Sequence, residues 1–389
     1  MNKSFPTARR MGDIAPFHVM DLLARARALE EAGHDIVHME VGEPDFPTPE
    51  PVLQAGMEAL RAGHTRYTPA TGLPALREAI AGFYERHHGV SVDPARIVIT
   101  PGASGALQLI MGVLLNPGDR VLLPDPGYPC NRHFVRQFEG EGLGVPVGPE
   151  TDYQLVARHL EEAWDARTVA AMAASPSNPT GTVVEAASLE ALSAAARERG
   201  GVLVADEIYQ GLVYDGHAPT ALSVTDEAFV INSFSKYFGM TGWRLGWIVA
   251  PEEYVRALDK LAGNIFLSAS TPAQHAALAA FSPETGEILE ERRDAFRERR
   301  DFLLPALREL GFRLPGAPRG AFYLYADCSA FTDDSFAFAG DLLDRAGVAI
   351  TPGIDFGAHR PDAHVRFAYT TRLDRLAEGV ERLDRFLRT

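Results

Sequence analysis

Short apolar runs alternate with amphipathic stretches between about residue 96 and residue 250. Most of the runs are nearly continuous in apolar residues, which is typical of strands buried on both faces of a parallel sheet. The alternation therefore predicts an α/β core, in which helices cover a mostly parallel sheet. The predicted strands span 96–100, 120–124, 168–173, 202–206, 228–233 and 245–249, and the predicted helices span 103–115, 132–140 and 189–199.

The pattern changes after about Pro283, where the charged stretch 287–308 predicts a long solvent-exposed helix. We place a domain boundary near this point. The large domain is predicted to span 46–284, and the small domain to combine 1–45 with 285–389. No flexible Gly/Ser linker separates these parts of the chain, so we expect the two domains to pack together.

Composition excludes several classes of protein. Fifty-two acidic against thirty-seven basic side chains give a net charge of -15, which disfavours nucleic acid as a partner. The apolar runs are too short for a membrane span, so no membrane association is expected. The chain has two cysteines, Cys130 and Cys328, and its first residues lack the apolar core of a signal peptide. We therefore predict a cytoplasmic protein.

One lysine stands out by its position at the end of a predicted strand. Lys236 follows Ser233 and Ser235, and Arg244 lies eight residues further on in a Gly-containing stretch. A lone lysine is usually a solvated surface cation. Here, a nearby guanidinium favours loss of the amine proton, and the two hydroxyls together with Arg244 suit a phosphate dianion.

This Ser-x-Ser-Lys motif with its arginine resembles the class I and II aminotransferases, which are enzymes of pyridoxal-5′-phosphate (PLP) fold type I. Three further segments match in order, at 177–181 (SNPTG), 205–209 (ADEIY) and 365–368 (VRFA). The segments GEPDF at 42–46 and PDPGYP at 124–129 are most similar to the prokaryotic aspartate, alanine and aromatic aminotransferase subgroup. The resemblance implies an aspartate-aminotransferase-like fold with a smaller α+β domain.

The resemblance also implies a role for several residues. Lys236 would carry PLP as an internal aldimine and act as the base, and Asp206 would pair with the pyridinium nitrogen. A helix N-cap is the other interpretation of an aspartate after a strand. Asn178 and Tyr209 would hydrogen-bond the ring oxygen, and Tyr128 would stack on the ring. Considered alone, each of these three residues is equally a turn or packing residue.

The remaining contacts concern the phosphate and the substrate. Gly102, Ala103 and Ser104 join a strand to a helix, so their backbone N–H groups can bind phosphate, although glycine there can equally serve a tight turn. Arg366 would bind the substrate carboxylate together with Gly42 and Asn178; a solvent-facing arginine is the alternative. Tyr67 matches a tyrosine that reaches the phosphate of the neighbouring subunit, which implies a homodimer with shared active sites.

The substrate itself is not specified by these motifs. Phe17, Asn131 and Arg132 are candidates for the side-chain pocket, or else surface and packing residues. None of the twelve histidines occurs in a recognised metal spacing, so no metal site is predicted.

We predict an aminotransferase that moves an amino group from an L-amino acid to a 2-oxo acid with ping-pong kinetics. The main alternative is a PLP-dependent lyase, such as a C–S β-lyase or a relative of aminocyclopropane-carboxylate synthase, because these enzymes share the motifs. A PLP-binding transcription regulator is a weaker alternative. It would need a DNA-binding domain ahead of the enzyme pattern, and that pattern begins by about Gly12 in this acidic chain.

Overall fold

The structure is a computed structural model that describes residues 7–315 and 318–388. Its α-helices are α1 (His18–Glu31), α2 (Glu50–Arg61), α3 (Pro74–His88), α4 (Gly102–Leu114), α5 (Cys130–Gln137), α6 (Ala157–Ala163), α7 (Ala186–Glu198), α8 (Glu252–Ile265), α9 (Thr271–Leu278), α10 (Pro283–Glu309), α11 (Ser335–Asp341) and α12 (Leu373–Leu387). Its strands are β1 (Val37–His38), β2 (Ile97–Thr100), β3 (Arg120–Asp125), β4 (Glu141–Pro146), β5 (Thr168–Ala174), β6 (Val202–Asp206), β7 (Phe229–Ser233), β8 (Gly246–Val249), β9 (Tyr323–Asp327), β10 (Val348–Ala349), β11 (Thr351–Pro352) and β12 (His364–Ala368).

A seven-stranded sheet forms the centre of the fold, in the order β2-β8-β7-β6-β5-β3-β4. All neighbouring strands are parallel except β8, which is antiparallel to both β2 and β7. Strands β2, β6, β7 and β8 are buried along their whole length, as their continuous apolar runs predict. The predicted α/β fold with a mostly parallel sheet is confirmed.

The reversed strand β8 has a consequence for the edge of the sheet. Because β8 is antiparallel to both neighbours, its first residue lies where β2 and β7 end, and Gly246 pairs with Thr100 on one side and Ser233 on the other. The carboxyl ends of β2, β3, β5, β6 and β7 and the start of β8 therefore share one edge. In open α/β sheets this is the edge where ligands bind.

Two small sheets lie outside the central sheet, and one of them combines the two ends of the chain. Strand β1 pairs with β10 in parallel, and β12 lies between β11 and β9 in an antiparallel sheet. The N-terminal segment is thereby joined to the C-terminal part by backbone hydrogen bonds. The predicted division at residues 46 and 285 stays a prediction.

The six predicted strands are confirmed to within two residues of their bounds, but strand β4 was not predicted. This edge strand contains Gly142 and Gly144 and has only one fully buried residue, Val145, so its apolar pattern is weak. The predicted helix 132–140 begins two residues earlier and ends at Gln137. Glu139 has a positive φ of 60°, which is incompatible with a continuing helix.

The long charged helix is present as α10, but the expectation that it is solvent-exposed is wrong for one of its faces. Leu289, Phe296 and Leu303 are buried on that face, as is Arg299. Arg299 donates two hydrogen bonds to the carboxylate of Asp45, at 2.8 and 3.0 Å. The ion pair with Asp45 thus compensates the buried charge of Arg299, whereas the sequence pattern predicts a solvent-exposed side chain at this position. No helix in the described ranges combines the length and the apolar character that a membrane span requires.

Candidate active site

A cavity of about 360 Å³ opens at the shared edge of the sheet. It is bounded by strand ends of the large sheet on one side, and by segments from both ends of the chain on the other. The site residues predicted from the sequence line it, apart from Gly102 and Tyr67. These lining residues are Gly42, Ala103, Ser104, Tyr128, Asn178, Asp206, Tyr209, Ser233, Ser235, Lys236, Arg244 and Arg366.

Lys236 follows strand β7 and extends its amine into this cavity. Its Nζ donates a hydrogen bond to the backbone oxygen of Gly42, at 2.7 Å. Burial lowers the pKa of Lys236 to about 8; Glu43 opposes this shift, whereas the positive charges of Arg366 and Arg244 contribute to it. A substantial fraction of this amine is therefore neutral near pH 8, as a nucleophile or a base must be.

Asp206 is the last residue of strand β6 and is only 5 % exposed. Its Oδ1 accepts a hydrogen bond from the backbone N–H of Ile208 at 3.2 Å, and it forms no ion pair within the described part of the chain. Burial raises its pKa to about 6, although Lys236 opposes the shift. The local bond to Ile208 resembles an N-cap, but a turn follows it instead of a helix. A buried carboxylate without a paired cation fits a protonated pyridine nitrogen.

The anion-binding elements of the site converge where α4 begins. Gly102 has a φ of +69°, and a Cβ on it would lie 2.7 Å from Nη2 of Arg244. The positive φ favours glycine at this position, and the close approach brings the guanidinium next to the N-terminus of a 13-residue helix. Ser233 Oγ donates to Ser235 Oγ at 3.0 Å nearby. Arg244 is not ion-paired in the described ranges, so its charge is available to an anionic ligand.

Aromatic and amide side chains complete the central part of the cavity. The hydroxyls of Tyr209 and Tyr323 are 2.8 Å apart, and both rings are buried. Asn178, in the loop after β5, accepts a hydrogen bond through Oδ1 from Nη1 of Arg366 at 2.9 Å. Burial raises the pKa of Tyr128 well above its usual value, so its hydroxyl stays protonated. These groups fit a planar ring that carries an oxygen substituent.

Arg366 is held rigidly in strand β12, where it is 3 % exposed. Its Nη2 donates to the backbone oxygen of Glu40 and to Oγ1 of Thr351, and its guanidinium carbon lies 4.3 Å from the centre of the Tyr323 ring. Its buried Nε has no hydrogen-bond partner in the part of the chain that the structure describes. Within residues 7–315 and 318–388, no carboxylate forms an ion pair with Arg366. A fixed guanidinium without a counter-charge suits a carboxylate ligand.

Sequence reasoning missed several residues of the cavity wall, among them Tyr323, Val19, Met20 and Glu43. Tyr323 lies in an aromatic run that is equally typical of a core strand, so the sequence contains no signal for its contact with Tyr209. The other three come from N-terminal segments that only tertiary packing brings to the sheet edge.

The three pocket candidates have different outcomes. Phe17 lines the cavity, as expected of a pocket residue. Asn131 and Arg132 do not line it; they border a separate cavity of about 180 Å³ behind Tyr128. Both residues lie in the first turn of α5, which begins at Cys130, and Nη2 of Arg132 donates to the backbone oxygen of Asp355 at 3.3 Å.

Tyr67 lies outside the cavity of its own chain and is 80 % exposed. The segment around it is nevertheless firmly attached. Thr271 Oγ1 donates to the backbone oxygen of Arg66 at 2.6 Å, and Gln274 Nε2 donates to Oγ1 of Thr68 at 3.0 Å. An ordered segment therefore presents a large aromatic side chain to the surroundings.

Comparison with known proteins assigns the family. The model of the family "Aminotransferase class I and II" matches residues 34–383, and the chain belongs to this family. The chain is a PLP-dependent aminotransferase, as the sequence motifs predict.

The alignments with its relatives span nearly the full length of this chain and of each relative. Valine–pyruvate aminotransferase of Mycobacterium tuberculosis is 39 % identical over 96 % of this chain and 97 % of its own. Aspartate aminotransferase of Geobacillus stearothermophilus is 36 % identical over 98 % of each. Among solved structures, an aminotransferase from M. tuberculosis superposes with a TM-score of 0.95 at 39 % identity, covering 99 % of this chain and 100 % of the other. Aspartate aminotransferase from Thermus thermophilus with maleate gives 0.93 at 36 % identity, covering 98 % and 100 %.

Proposed function

We propose that this enzyme exchanges the amino group of an L-amino acid with a 2-oxo acid in two half-reactions that use the same cavity, with Lys236 as the reactive amine. The observation that carries the proposal is the charge arrangement around one cavity. An amine of lowered pKa lies between a buried carboxylate, Asp206, and two guanidinium groups, Arg244 and Arg366, that have no carboxylate partner among the described residues.

The sheet edge would hold the cofactor. Ser233, Ser235 and Arg244, with the backbone N–H groups at the start of α4, would bind its phosphate. Asp206 would keep the ring nitrogen protonated, and Asn178 and Tyr209 would donate to the ring oxygen. Tyr128 would cover one face of the ring. When bound, PLP supplies an electron sink that makes the α proton of an amino acid acidic.

Residues from the other side of the cavity would hold the substrate. Arg366 would bind the α-carboxylate through its two-pronged guanidinium, supported by Asn178 and the backbone of Gly42. Carboxylate binding would fix the orientation of the Cα–H bond relative to Lys236. The neutral amine of Lys236 would remove the proton from Cα and deliver it to the C4′ carbon of the cofactor. A positioned base of this kind contributes about 10²- to 10⁴-fold to a reaction rate.

We further propose a homodimer in which Tyr67 contributes to the site of the partner subunit. Three large apolar side chains are exposed in this region: Tyr67 by 80 %, Leu267 by 55 % and Ile265 by 45 %. The hydrogen bonds that Thr271 and Gln274 donate to residues 66–68 connect the segment of Tyr67 to the segment that follows Leu267. A second copy of the chain would cover these side chains. Mixing Lys236→Ala chains with Tyr67→Ala chains should restore activity through hybrid dimers. An active species that sediments as a monomer would contradict the dimer.

A cytoplasmic location is also proposed, because Cys130 and Cys328 are both free thiols, which suit a reducing compartment. Activity that fractionates with a membrane or an extracellular fraction of the source cells would contradict it.

The decisive experiment is a half-reaction without oxo acid. Adding one amino acid to the PLP enzyme should convert its absorbance to that of pyridoxamine phosphate, release one equivalent of 2-oxo acid per site, and then stop. A lyase would instead release ammonia continuously without this conversion. Steady ammonia release across acidic, aromatic, aliphatic and basic amino acids would refute transamination.

A further inference from the structure

The N-terminal segment that contains Phe17, Val19 and Met20 forms a wall of the cavity opposite the sheet edge. It is the start of helix α1. The Phe17 ring packs edge-on against the Tyr128 ring, with 6.4 Å between the ring centres, while Met20 is 50 % exposed at the mouth of the cavity. The wall thus covers the space next to the ring-stacking tyrosine, where a substrate side chain would extend.

The chemistry of this space is apolar. Leu107 and Ile208 continue the apolar surface across the cavity. The basic residues that line the cavity within the described ranges are Lys236, Arg244 and Arg366, and each already has a role toward the cofactor or the α-carboxylate. An acidic side chain would lose its hydration here without gaining a cation from this chain, which is unfavourable, whereas an apolar side chain gains from burial.

A buried carboxylate contacts the backbone at the start of this wall. Asp355 is 1 % exposed, and it accepts hydrogen bonds from two consecutive backbone groups, His18 N–H through Oδ1 at 3.0 Å and Val19 N–H through Oδ2 at 2.9 Å. Phe17, the N-cap residue of α1, provides no capping side chain of its own. Asp355 therefore performs the capping function from a distant part of the sequence.

The surroundings of Asp355 connect the wall to both halves of the cavity. Its backbone oxygen accepts a hydrogen bond from Arg132 of α5, which follows the loop that carries Tyr128. The next residue, Phe356, packs against the guanidinium of Arg366, with 4.9 Å between the guanidinium carbon and the ring centre. The position of the wall is thus fixed relative to the residue that would bind the α-carboxylate.

We propose that Asp355 is a positioning residue that fastens the wall formed by Phe17, Val19 and Met20, and that this wall makes the enzyme select amino acids with apolar side chains. This inference rests on the proposed transamination. It predicts a higher kcat/KM in the half-reaction for valine, leucine or phenylalanine than for aspartate and glutamate.

Asp355→Asn tests the positioning role, because the amide retains the size of the carboxylate but turns one acceptor into a donor that faces a backbone N–H. The KM for leucine should rise about 5- to 30-fold, while kcat and the KM for alanine, which lacks a large side chain, change little. Backbone amides of 18–31 should exchange hydrogen faster. Asp93→Asn is the matched control, since Asp93 caps an exposed turn at Ala95 N–H, and it should change neither quantity.

Met20→Lys tests the apolar wall in a variant whose exposed position keeps the fold intact. The added cation should increase kcat/KM for glutamate relative to leucine by about 10-fold or more. Met11→Lys is its control, because Met11 is 53 % exposed and does not line the cavity.

The outcomes separate the inference from the function on which it rests. A wild-type enzyme that prefers aspartate, or an unchanged glutamate-to-leucine ratio in Met20→Lys, would overturn the apolar wall. If Asp355→Asn changed neither the KM for leucine nor the hydrogen exchange of backbone amides 18–31, the positioning role would be overturned. If no amino acid reacts with the wild type, the proposed transamination fails, whereas the exchange measurement still decides whether Asp355 fastens α1.

Discussion

The two sides of the cavity are built in different ways. The cofactor side consists of residues at or just beyond the ends of strands in one sheet, such as Asn178, Asp206 and Lys236. The substrate side consists of Phe17 to Met20 and Gly42 from one end of the chain, and of Tyr323 and Arg366 from the other. The first side is fixed by buried parallel strands, whereas the second depends on a few specific contacts between distant segments.

The different construction of the two sides suggests that the cofactor side governs the chemical step and that the substrate side governs specificity. Strands that are buried on both faces leave their terminal residues little freedom, so the groups that would hold the cofactor are preorganised. The wall at α1 is connected to the rest of the site by two hydrogen bonds to Asp355 and by ring contacts. We expect changes on the cofactor side to affect mainly kcat, and changes on the substrate side to affect mainly KM.

The largest effect is expected for Asp206→Ala. Loss of the buried carboxylate would leave the ring nitrogen without its partner, so the half-reaction should lose about 10²- to 10³-fold in kcat, with a much smaller change in KM. Stopped-flow absorbance with saturating amino acid measures this rate. Asp165→Ala removes a carboxylate just before β5, outside the cavity, and should retain the wild-type rate. A near-normal kcat in Asp206→Ala would contradict the expectation that the cofactor side governs kcat.

A smaller effect of the opposite kind is expected for Arg366→Lys. Lysine keeps the charge but cannot form two parallel hydrogen bonds to a carboxylate, so kcat/KM should fall about 10- to 100-fold, mostly through KM. Initial rates over a range of amino acid concentrations separate the two parameters. Arg372→Lys, at a site where the side chain is 72 % exposed, is the control. If kcat fell while KM stayed constant, Arg366 would belong with the cofactor side.

The smallest effect concerns pH. With a Lys236 pKa of about 8, the rate at which the cofactor-free protein captures PLP should rise with pH and level off above about 8, because the neutral amine is the nucleophile. Glu43 raises this pKa, so Glu43→Gln should shift the midpoint to lower pH. Capture can be followed by absorbance from about pH 6 to about pH 11, a range that brackets the lowered and the ordinary lysine values, with Glu50→Gln, on the surface of α2, as the control. A midpoint near the ordinary lysine value of 10.5, or an upward shift in Glu43→Gln, would contradict the desolvated amine.

The α/β core and most of the residues on the cofactor side could be predicted from the amino-acid sequence. Continuous apolar runs located the six strands, and Asp206 and Lys236 lie at or just beyond the ends of two of them, so their place at the carboxyl edge follows from the pattern alone. The location of such residues can be predicted from the sequence because few residues separate them from the end of the strand.

The substrate side and the direction of β8 could not be predicted in this way, because they depend on contacts between distant segments. The reversal of β8 brings Arg244 back to the shared edge, and nothing in the local pattern of that strand indicates its direction. The contact between Tyr209 and Tyr323 joins residues 114 positions apart, and the bonds from Asp355 to α1 join residues 337 and 336 positions apart. Hydrophobic periodicity records which face of an element is buried, but not which distant segment covers it. The position of the wall formed by Phe17, Val19 and Met20 therefore depends on tertiary contacts that the sequence pattern does not record.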